Sequence, residues 1–129
     1  IINCAGHRLS TGSIEEILTS HKEIAECAVI GFADDLKGHV PLGLLVVNNS
    51  CTKSNGEIEK EVITLVREKL GAVASFKRAF VINSLPKTRS GKILRSTIAK
   101  ILNDQEYKKP ATIEDESALN LVADLRNRI

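Results

Sequence analysis

The 129-residue chain contains no methionine or tryptophan and has four aromatic residues, Phe32, Phe76, Phe80 and Tyr107. Sites for single-stranded nucleic acid rely on bases stacking against aromatic side chains, so this composition argues against a nucleic-acid partner. No apolar run approaches the roughly 18 residues of a membrane helix, and we therefore predict no membrane partner. The missing initiator methionine and the strand-like first residues lead us to expect a piece of a longer polypeptide.

The cysteines are an odd number, Cys4, Cys27 and Cys51, and are widely spaced. They predict neither a disulfide framework nor a CxxC metal knuckle, which favours a reducing compartment. The net charge of +2 is too small to imply a polyanionic partner, so any basic site has to be local. Hydrophobic residues at 43% and charged residues at 26% are ordinary values for a folded globular domain.

Hydrophobic periodicity predicts helices and strands in mixed order. Helical spacing is found near 12–20, where Ser13 begins a capping-box pattern, and again at 56–70, 93–102 and 115–128. Apolar runs rich in branched residues predict strands at 28–32, 42–47 and 79–82. Residues 1–129 are therefore expected to form one α+β domain. Its small mixed sheet should have about three main strands plus a short N-terminal hairpin and should be covered by helices.

The first candidate site is the segment from Pro86 to Lys92. Five cations lie between Lys87 and Lys100 with no acidic residue among them. A Walker loop is excluded because Pro86 and Ile93 stand where that motif needs glycine and Ser or Thr. We expect a flexible Ser-Gly pair that presents Lys92 at the start of a helix. On spacing alone, a solvated basic face is the simpler interpretation.

The second candidate site is the segment 3–12. Gly6 and Gly12 permit close approach of the backbone, and Arg8 between them can offer a fork of donors to a phosphate or carboxylate. A strand, a turn and a helix cap with one surface arginine explain the same residues without a ligand.

Together the two segments resemble the mobile C-terminal domain of acyl-adenylate-forming enzymes. Ile2-Asn3-Cys4-Ala5-Gly6-His7-Arg8-Leu9-Ser10 is similar to the motif that opens that domain, and Pro86 to Lys92 matches its P-K-T-x-S-G-K signature. The resemblance is closest to the short-chain acyl-CoA synthetases of the acetyl- and propionyl-CoA type and extends over nearly the whole chain. The segment Lys37-Gly38-His39-Val40-Pro41-Leu42 is more similar to the propionyl-CoA synthetases than to the acetyl-CoA synthetases.

The resemblance implies a two-step reaction. ATP and a short carboxylate give an acyl-adenylate and pyrophosphate, and the thiol of CoA then attacks the adenylate. By resemblance, Lys92 is the catalytic lysine of the first step and a site of regulatory acetylation, and Arg8 contacts the phosphate of ATP or AMP. The same comparison assigns CoA contacts to Ala5, Gly6 and Arg67, the last to the 3′-phosphate.

The resemblance also implies a metal site at Thr19, His21 and Ile24, with Mg²⁺ accompanying the substrates ATP and CoA. Its implied partners are a large N-terminal adenylation domain of the same polypeptide and an acetyltransferase or deacetylase. The chain alone is then expected to be inactive, and the location to be the cytoplasm, or the mitochondrial matrix in a eukaryote. Two alternatives remain: a small basic module that binds RNA or protein, and the same domain of a medium-chain or aryl-CoA ligase.

Overall fold

The computed structural model describes residues 2–4, 7–36, 38–71, 75–109, 111, 113–114 and 116–129. These residues form the following strands and helices: β1 Ile2–Cys4, β2 His7–Leu9, α1 Thr11–Thr19, β3 Ile24–Asp34, β4 Gly38–Val47, α2 Asn55–Leu70, β5 Arg78–Val81, α3 Arg95–Leu102 and α4 Ser117–Arg126. None of the described helices is long and apolar enough to span a membrane.

The sheet is built around the long antiparallel hairpin of β3 and β4. β5 pairs in parallel with β4, and Leu44 lies opposite Phe80. β1 and β2 form a short antiparallel hairpin that meets β4 where Cys4 pairs with Gly38. The sheet is therefore mixed, with three main strands and an N-terminal hairpin, and the predicted α+β fold is confirmed.

The central strands are buried on both faces, because helices cover each side of the sheet. Successive residues of a strand point to opposite faces. Helices α1 and α2 pack on one face, over residues that include Cys27, Val29 and Leu45. Helices α3 and α4 pack on the other, over residues that include Ile30 and Leu44. Burial on two sides explains why these strands appear in the sequence as continuous apolar runs.

At the outer edges of β3 and β5, several backbone N–H groups donate to side chains, because no further described strand pairs with these edges. The backbone N–H of Val29 donates to Glu15 at 2.9 Å, and that of Ala33 donates to the side-chain oxygen of Asn103 at 2.8 Å. On β5 the N–H of Val81 donates to the carboxylate of Glu59 at 2.9 Å. Open strand edges invite pairing with other chains, so these contacts protect the sheet.

Several local predictions need correction. The N-cap of α1 is Ser10, whose hydroxyl accepts from the N–H of Ser13, so Ser13 is inside the helix and does not begin it. Leu70 is the last residue of the helix predicted at 56–70, and although it is apolar it is 38% exposed. Helices α3 and α4 begin two residues later than predicted, and β3 and β4 are longer than the apolar runs indicated.

Candidate functional site

Residues 86–94 form a small ordered hairpin, here called the Lys92 hairpin. Its strands are joined by the N–H of Thr88, which donates to the carbonyl of Lys92 at 2.9 Å. At its base the N–H of Leu94 donates to the carbonyl of Pro86, also at 2.9 Å. These bonds hold the segment before α3 in an extended form, which is why the helix starts only at Arg95.

The tip of the hairpin is a turn built on Thr88 and Gly91. The N–H of Gly91 donates to the carbonyl of Thr88 at 2.9 Å, and Gly91 has a φ of +90°, a conformation that glycine adopts without strain. The hydroxyl of Thr88 is 2.9 Å from that of Ser90 and accepts from the N–H of Lys92 at 3.2 Å. The Ser-Gly pair predicted to be a flexible tether is therefore part of a hydrogen-bonded turn.

The side chain of Lys92 is exposed and has no ion-pair partner among the residues that the structure describes. Two neighbouring cations differ from it, because Lys87 pairs with Glu26 and Arg95 pairs with Glu15. The basic face predicted between Lys87 and Lys100 is therefore partly neutralised by acids from α1 and β3. The ammonium of Lys92 is left free to meet a ligand.

Glu15 joins three elements of the fold through one carboxylate. It accepts from the guanidinium of Arg95 at 2.8 Å and 2.6 Å, in a two-pronged contact, and from the backbone N–H of Val29 in β3. The hydrogen bond to Glu15 raises the pKa of Arg95. Since α1 and α3 cover opposite faces of the sheet, this contact reaches around the edge of β3. It fixes the start of α3 directly after the Lys92 hairpin.

A second candidate site is a cavity of about 320 Å³ beside the C-terminal end of α2, here called the α2 cavity. Arg67 and Lys77, both exposed, contribute cations to its lining, and the buried ring of Phe76 supplies an apolar wall. Two cations beside an apolar wall suit a ligand that carries phosphate next to apolar groups. The lining residues are Ile63, Val66, Arg67, Gly71, Ser75, Phe76 and Lys77.

The predicted site residues do not form a single site. Arg67 lies on α2 and Lys92 precedes α3, and these helices cover opposite faces of the sheet. The structure describes Arg8 only as a member of β2 paired with Asn3, and its side chain is outside the described part. Ala5 and Gly6 also lie outside the described residues, so their CoA contacts stay predictions.

The predicted metal residues already have protein partners. The hydroxyl of Thr19 donates to backbone carbonyls of α1, at 3.0 Å for Glu15. His21 has both ring nitrogens engaged: Nδ1 accepts from the N–H of Glu23 at 3.1 Å, and Nε2 is 2.9 Å from Glu61.

The backbone carbonyl of His21 also has a hydrogen-bond partner within the chain. The carbonyl of His21 accepts from the N–H of Ile24 at 3.1 Å. Within the described ranges, no group of three His, Cys, Asp or Glu residues could hold a metal. The metal site at Thr19, His21 and Ile24 stays a prediction, and we assign no step of the chemistry to a metal there.

Three contributors were missed by sequence reasoning: Glu15, Glu26 and Lys77. The two acids act on residues 80 and 61 positions away, respectively, and no local pattern reports such pairs. Lys77 stands in a loop of ordinary composition. The sequence did contain one indication of the two acids: the cations from Lys87 to Lys100 have no acidic residue among them, so any acid that pairs with them has to come from elsewhere in the fold.

Comparison with known proteins identifies the family of this chain. The pattern of the AMP-binding enzyme C-terminal domain matches residues 13–92, more than half of the chain. The chain belongs to this family. The resemblance inferred from the sequence motifs is thus confirmed.

Individual relatives of this AMP-binding enzyme C-terminal domain are similar over most of its length. The mitochondrial acyl-CoA synthetase short-chain family member B of Dictyostelium discoideum is 56% identical over 92% of the chain. Acetyl-coenzyme A synthetase 1 of Debaryomyces hansenii is 41% identical over 82% of it. The crystal structure of the Brucella canis acyl-CoA synthetase superposes with a TM-score of 0.71 at 27% identity, over 78% of the chain. The matches cover 17%, 16% and 18% of these three proteins, respectively.

Proposed function

We propose that this chain is the mobile C-terminal domain of an AMP-forming short-chain acyl-CoA synthetase, and that Lys92 is its adenylation lysine. The observation that carries the proposal is the free, exposed ammonium of Lys92 at the tip of an ordered hairpin, beside cations that are already paired. Membership of the AMP-binding enzyme C-terminal domain family and the names of the relatives support the same function.

The reaction proposed for the complete enzyme has two steps. A carboxylate oxygen of acetate or propionate attacks the α-phosphorus of ATP, so that a carboxyl–phosphate bond forms and pyrophosphate leaves. The sulfur of CoA then attacks the acyl carbon, the thiol proton is released, and AMP leaves. Mg²⁺ accompanies ATP, neutralising part of the phosphate charge, and is assigned here to no residue of this chain.

Lys92 acts by charge in the first step. Negative charge moves from the attacking carboxylate onto the phosphate oxygens as the adenylate forms, and a preorganised ammonium stabilises that change more than water does. The hydrogen-bonded turn from Thr88 to Gly91 keeps the start of the Lys92 side chain in one place. The ammonium therefore has few conformations to sample before it reaches the reacting oxygens when the domain closes.

The α2 cavity is proposed to receive the phosphorylated end of CoA in the second step. Arg67 provides a two-pronged donor for the 3′-phosphate, and Lys77 adds a second positive charge at the same cavity. Ala5 and Gly6 beside the pantetheine arm, and Arg8 on the nucleotide phosphate, remain assignments by resemblance. Because the α2 cavity and Lys92 lie on different sides of the sheet, rotation of the domain would present them in turn.

The proposed partners follow from the same function. A large adenylation domain of the same polypeptide supplies the acyl pocket, so this chain alone is expected to be inactive. The exposed Lys92 is accessible to an acetyltransferase, and a deacetylase would restore its charge. The cytoplasm or the mitochondrial matrix suits a sequence whose three cysteines predict no disulfide framework, and the Dictyostelium relative is named as mitochondrial.

A small module that binds RNA or protein through its basic face is a weaker candidate. Glu26 and Glu15 neutralise Lys87 and Arg95, which reduces the field that such a partner would need. The same domain in a medium-chain or aryl-CoA ligase stays an alternative, because the residues that choose the acyl group are proposed to lie in the adenylation domain.

The test is the Lys92→Ala variant of the full-length enzyme, assayed in each half-reaction. Adenylate formation, followed by pyrophosphate exchange, should fall by roughly 10² to 10³, the usual effect of losing one preorganised charge donor. Conversion of supplied acyl-adenylate and CoA to thioester should be nearly unchanged. Lys100→Ala removes another exposed cation and serves as the control. Equal losses in both half-reactions, in a variant that remains folded, would contradict the proposal.

A further inference from the structure

The Lys92 hairpin is held at both ends by ion pairs to residues of other elements. We propose that these pairs, Glu26 with Lys87 and Glu15 with Arg95, are positioning contacts that aim Lys92 during adenylate formation. The kinetic part of this inference rests on the function proposed above. Its structural part, that the pairs order the hairpin, can be tested without any activity.

The first pair anchors the entry to the hairpin. Lys87 Nζ lies 2.6 Å from Oε1 and 2.5 Å from Oε2 of Glu26, which belongs to β3. The backbone carbonyl of Lys87 also accepts from the N–H of Glu114 at 2.9 Å. Lys87 is therefore fixed on two sides, by its side chain to the sheet and by its backbone to the segment before α4.

The second pair anchors the exit. Arg95, the first residue of α3, donates hydrogen bonds to both carboxylate oxygens of Glu15, and the same carboxylate accepts from the N–H of Val29. Two parallel hydrogen bonds fix the orientation of a guanidinium as well as its position. Lys92 lies five residues after the first anchor and three residues before the second.

Apart from the ion pairs, the described contacts between the hairpin and the rest of the fold lie at its base and at Thr88. Pro86 at its entry is buried, Ile93 and Leu94 near its exit pack against the hydrophobic core, and a backbone bridge joins Thr88 to Ile113, whereas residues 89–92 are exposed. Losing an anchor should therefore loosen the bonds between the two strands of the hairpin, made by the N–H groups of Thr88 and Leu94, while the tight turn closed by the N–H of Gly91 survives. Displacement of a reacting group by about 1 Å can lower a rate by roughly 10²-fold.

The partial exposure of the Lys87–Glu26 pair allows its effect on the position of Lys92 to be distinguished from its effect on the stability of the fold. The side chains of Lys87 and Glu26 are 24% and 35% exposed, whereas the second pair joins Arg95, 42% exposed, to Glu15, which is only 16% exposed. A pair as accessible as that of Lys87 and Glu26 contributes little to global stability, because solvent screens its attraction, whereas the two-pronged contact of Arg95 with Glu15 also contributes to stability. We therefore expect loss of the Lys87–Glu26 pair to change the order of the hairpin and the first half-reaction far more than the melting temperature.

The kinetic experiment uses Lys87→Met in the full-length enzyme. The kcat of adenylate formation should fall by roughly 10- to 100-fold, with the KM for ATP and the thioester half-reaction nearly unchanged. The exchanged pair Glu26→Lys with Lys87→Glu should recover most of the lost rate, because it restores the anchor with its charges reversed. Lys53→Met breaks the pair of Lys53 and Glu61 elsewhere on the surface and is the matched control.

The structural experiment measures amide hydrogen exchange in the same Lys87→Met variant. The N–H groups of Thr88, Gly91 and Leu94 are hydrogen-bonded within the hairpin, and those of Thr88 and Leu94 should exchange at least several-fold faster. Protection in α2 should not change. Unchanged protection of the hairpin would overturn the inference, as would a parallel loss of both half-reactions together with the melting temperature.

The two proposals fail in different ways. If Lys92→Ala leaves adenylate formation intact, the proposed function is wrong, and the exchange experiment still decides whether the pairs order the hairpin. If Lys92→Ala abolishes adenylate formation while Lys87→Met has no effect on it, Lys92 keeps its role and the positioning inference is refuted. Failure of the charge-exchanged variant to recover any rate would also refute it.

Discussion

Replacing Gly43 by alanine tests the packing that forms one wall of the α2 cavity. Gly43 lies in the middle of β4, paired with Val29 of β3 and Ala79 of β5. A Cβ at this position would lie 2.8 Å from Cζ and 3.2 Å from Cε1 of Phe76. Distances this short require the ring to move, and Phe76 is only 5% exposed within the core.

The expected loss of stability combines two opposing effects. Forcing an extra carbon into a packed core costs about 1 to 3 kcal/mol, whereas alanine in place of glycine in a strand returns about 0.5 to 1 kcal/mol. The net free energy of unfolding of Gly43→Ala should therefore fall by about 1 kcal/mol. Gly56→Ala is the control, because a Cβ there meets nothing within 4 Å, and it should be neutral or stabilising by up to about 1 kcal/mol.

Urea unfolding of the 129-residue chain measures both variants, and a double-mutant cycle identifies the cause. Phe76→Leu removes the ring edge that the new Cβ would meet, so Gly43→Ala should be less costly in that background by at least about 0.5 kcal/mol. Additive effects of the two substitutions would refute the steric explanation. A stabilised Gly43→Ala protein would refute it more directly.

Much of the fold was accessible from the sequence because local patterns govern it. The apolar runs of β3, β4 and β5 and the helical spacing of α2 need only near neighbours to be recognised. Gly71 follows the last residue of α2 with a φ of +83°, and glycine is the residue that most often ends a helix in this way. The early part of α3 was mispredicted because Ile93 and Leu94 have helical spacing, yet they pair with Lys87 and Pro86 across the hairpin.

The candidate site was less accessible because long-range contacts assemble it. The motif around Lys92 identified the lysine, but the bond between Arg95 and Glu15 joins residues 80 positions apart. Whether a cation is free or paired depends on such contacts, and charge spacing along the chain does not report it. The α2 cavity likewise needs Lys77, from the segment before β5, to lie beside Arg67 on α2.

Two further predictions concern single side chains. In the full-length enzyme, Arg67→Ala and Lys77→Ala should each raise the KM for CoA by about tenfold, because each removes one charge-assisted contact. The control variant Lys69→Ala should leave the KM for CoA unchanged. With dephospho-CoA as the substrate, the Arg67→Ala variant and the unchanged enzyme should have equal activity. Cys27 is the second case, because burial, aided by the Glu15 carboxylate, raises the pKa of its thiol from 9.0 to about 12. A pKa that is higher in the folded state stabilises the protein fully below pH 9, and this contribution is lost as the pH rises toward 12. Urea unfolding at pH 8 to 11 should therefore show stability falling more steeply with pH in the unchanged chain than in Cys27→Ala, and parallel slopes would mean that the buried thiol ionises as readily as in the unfolded chain.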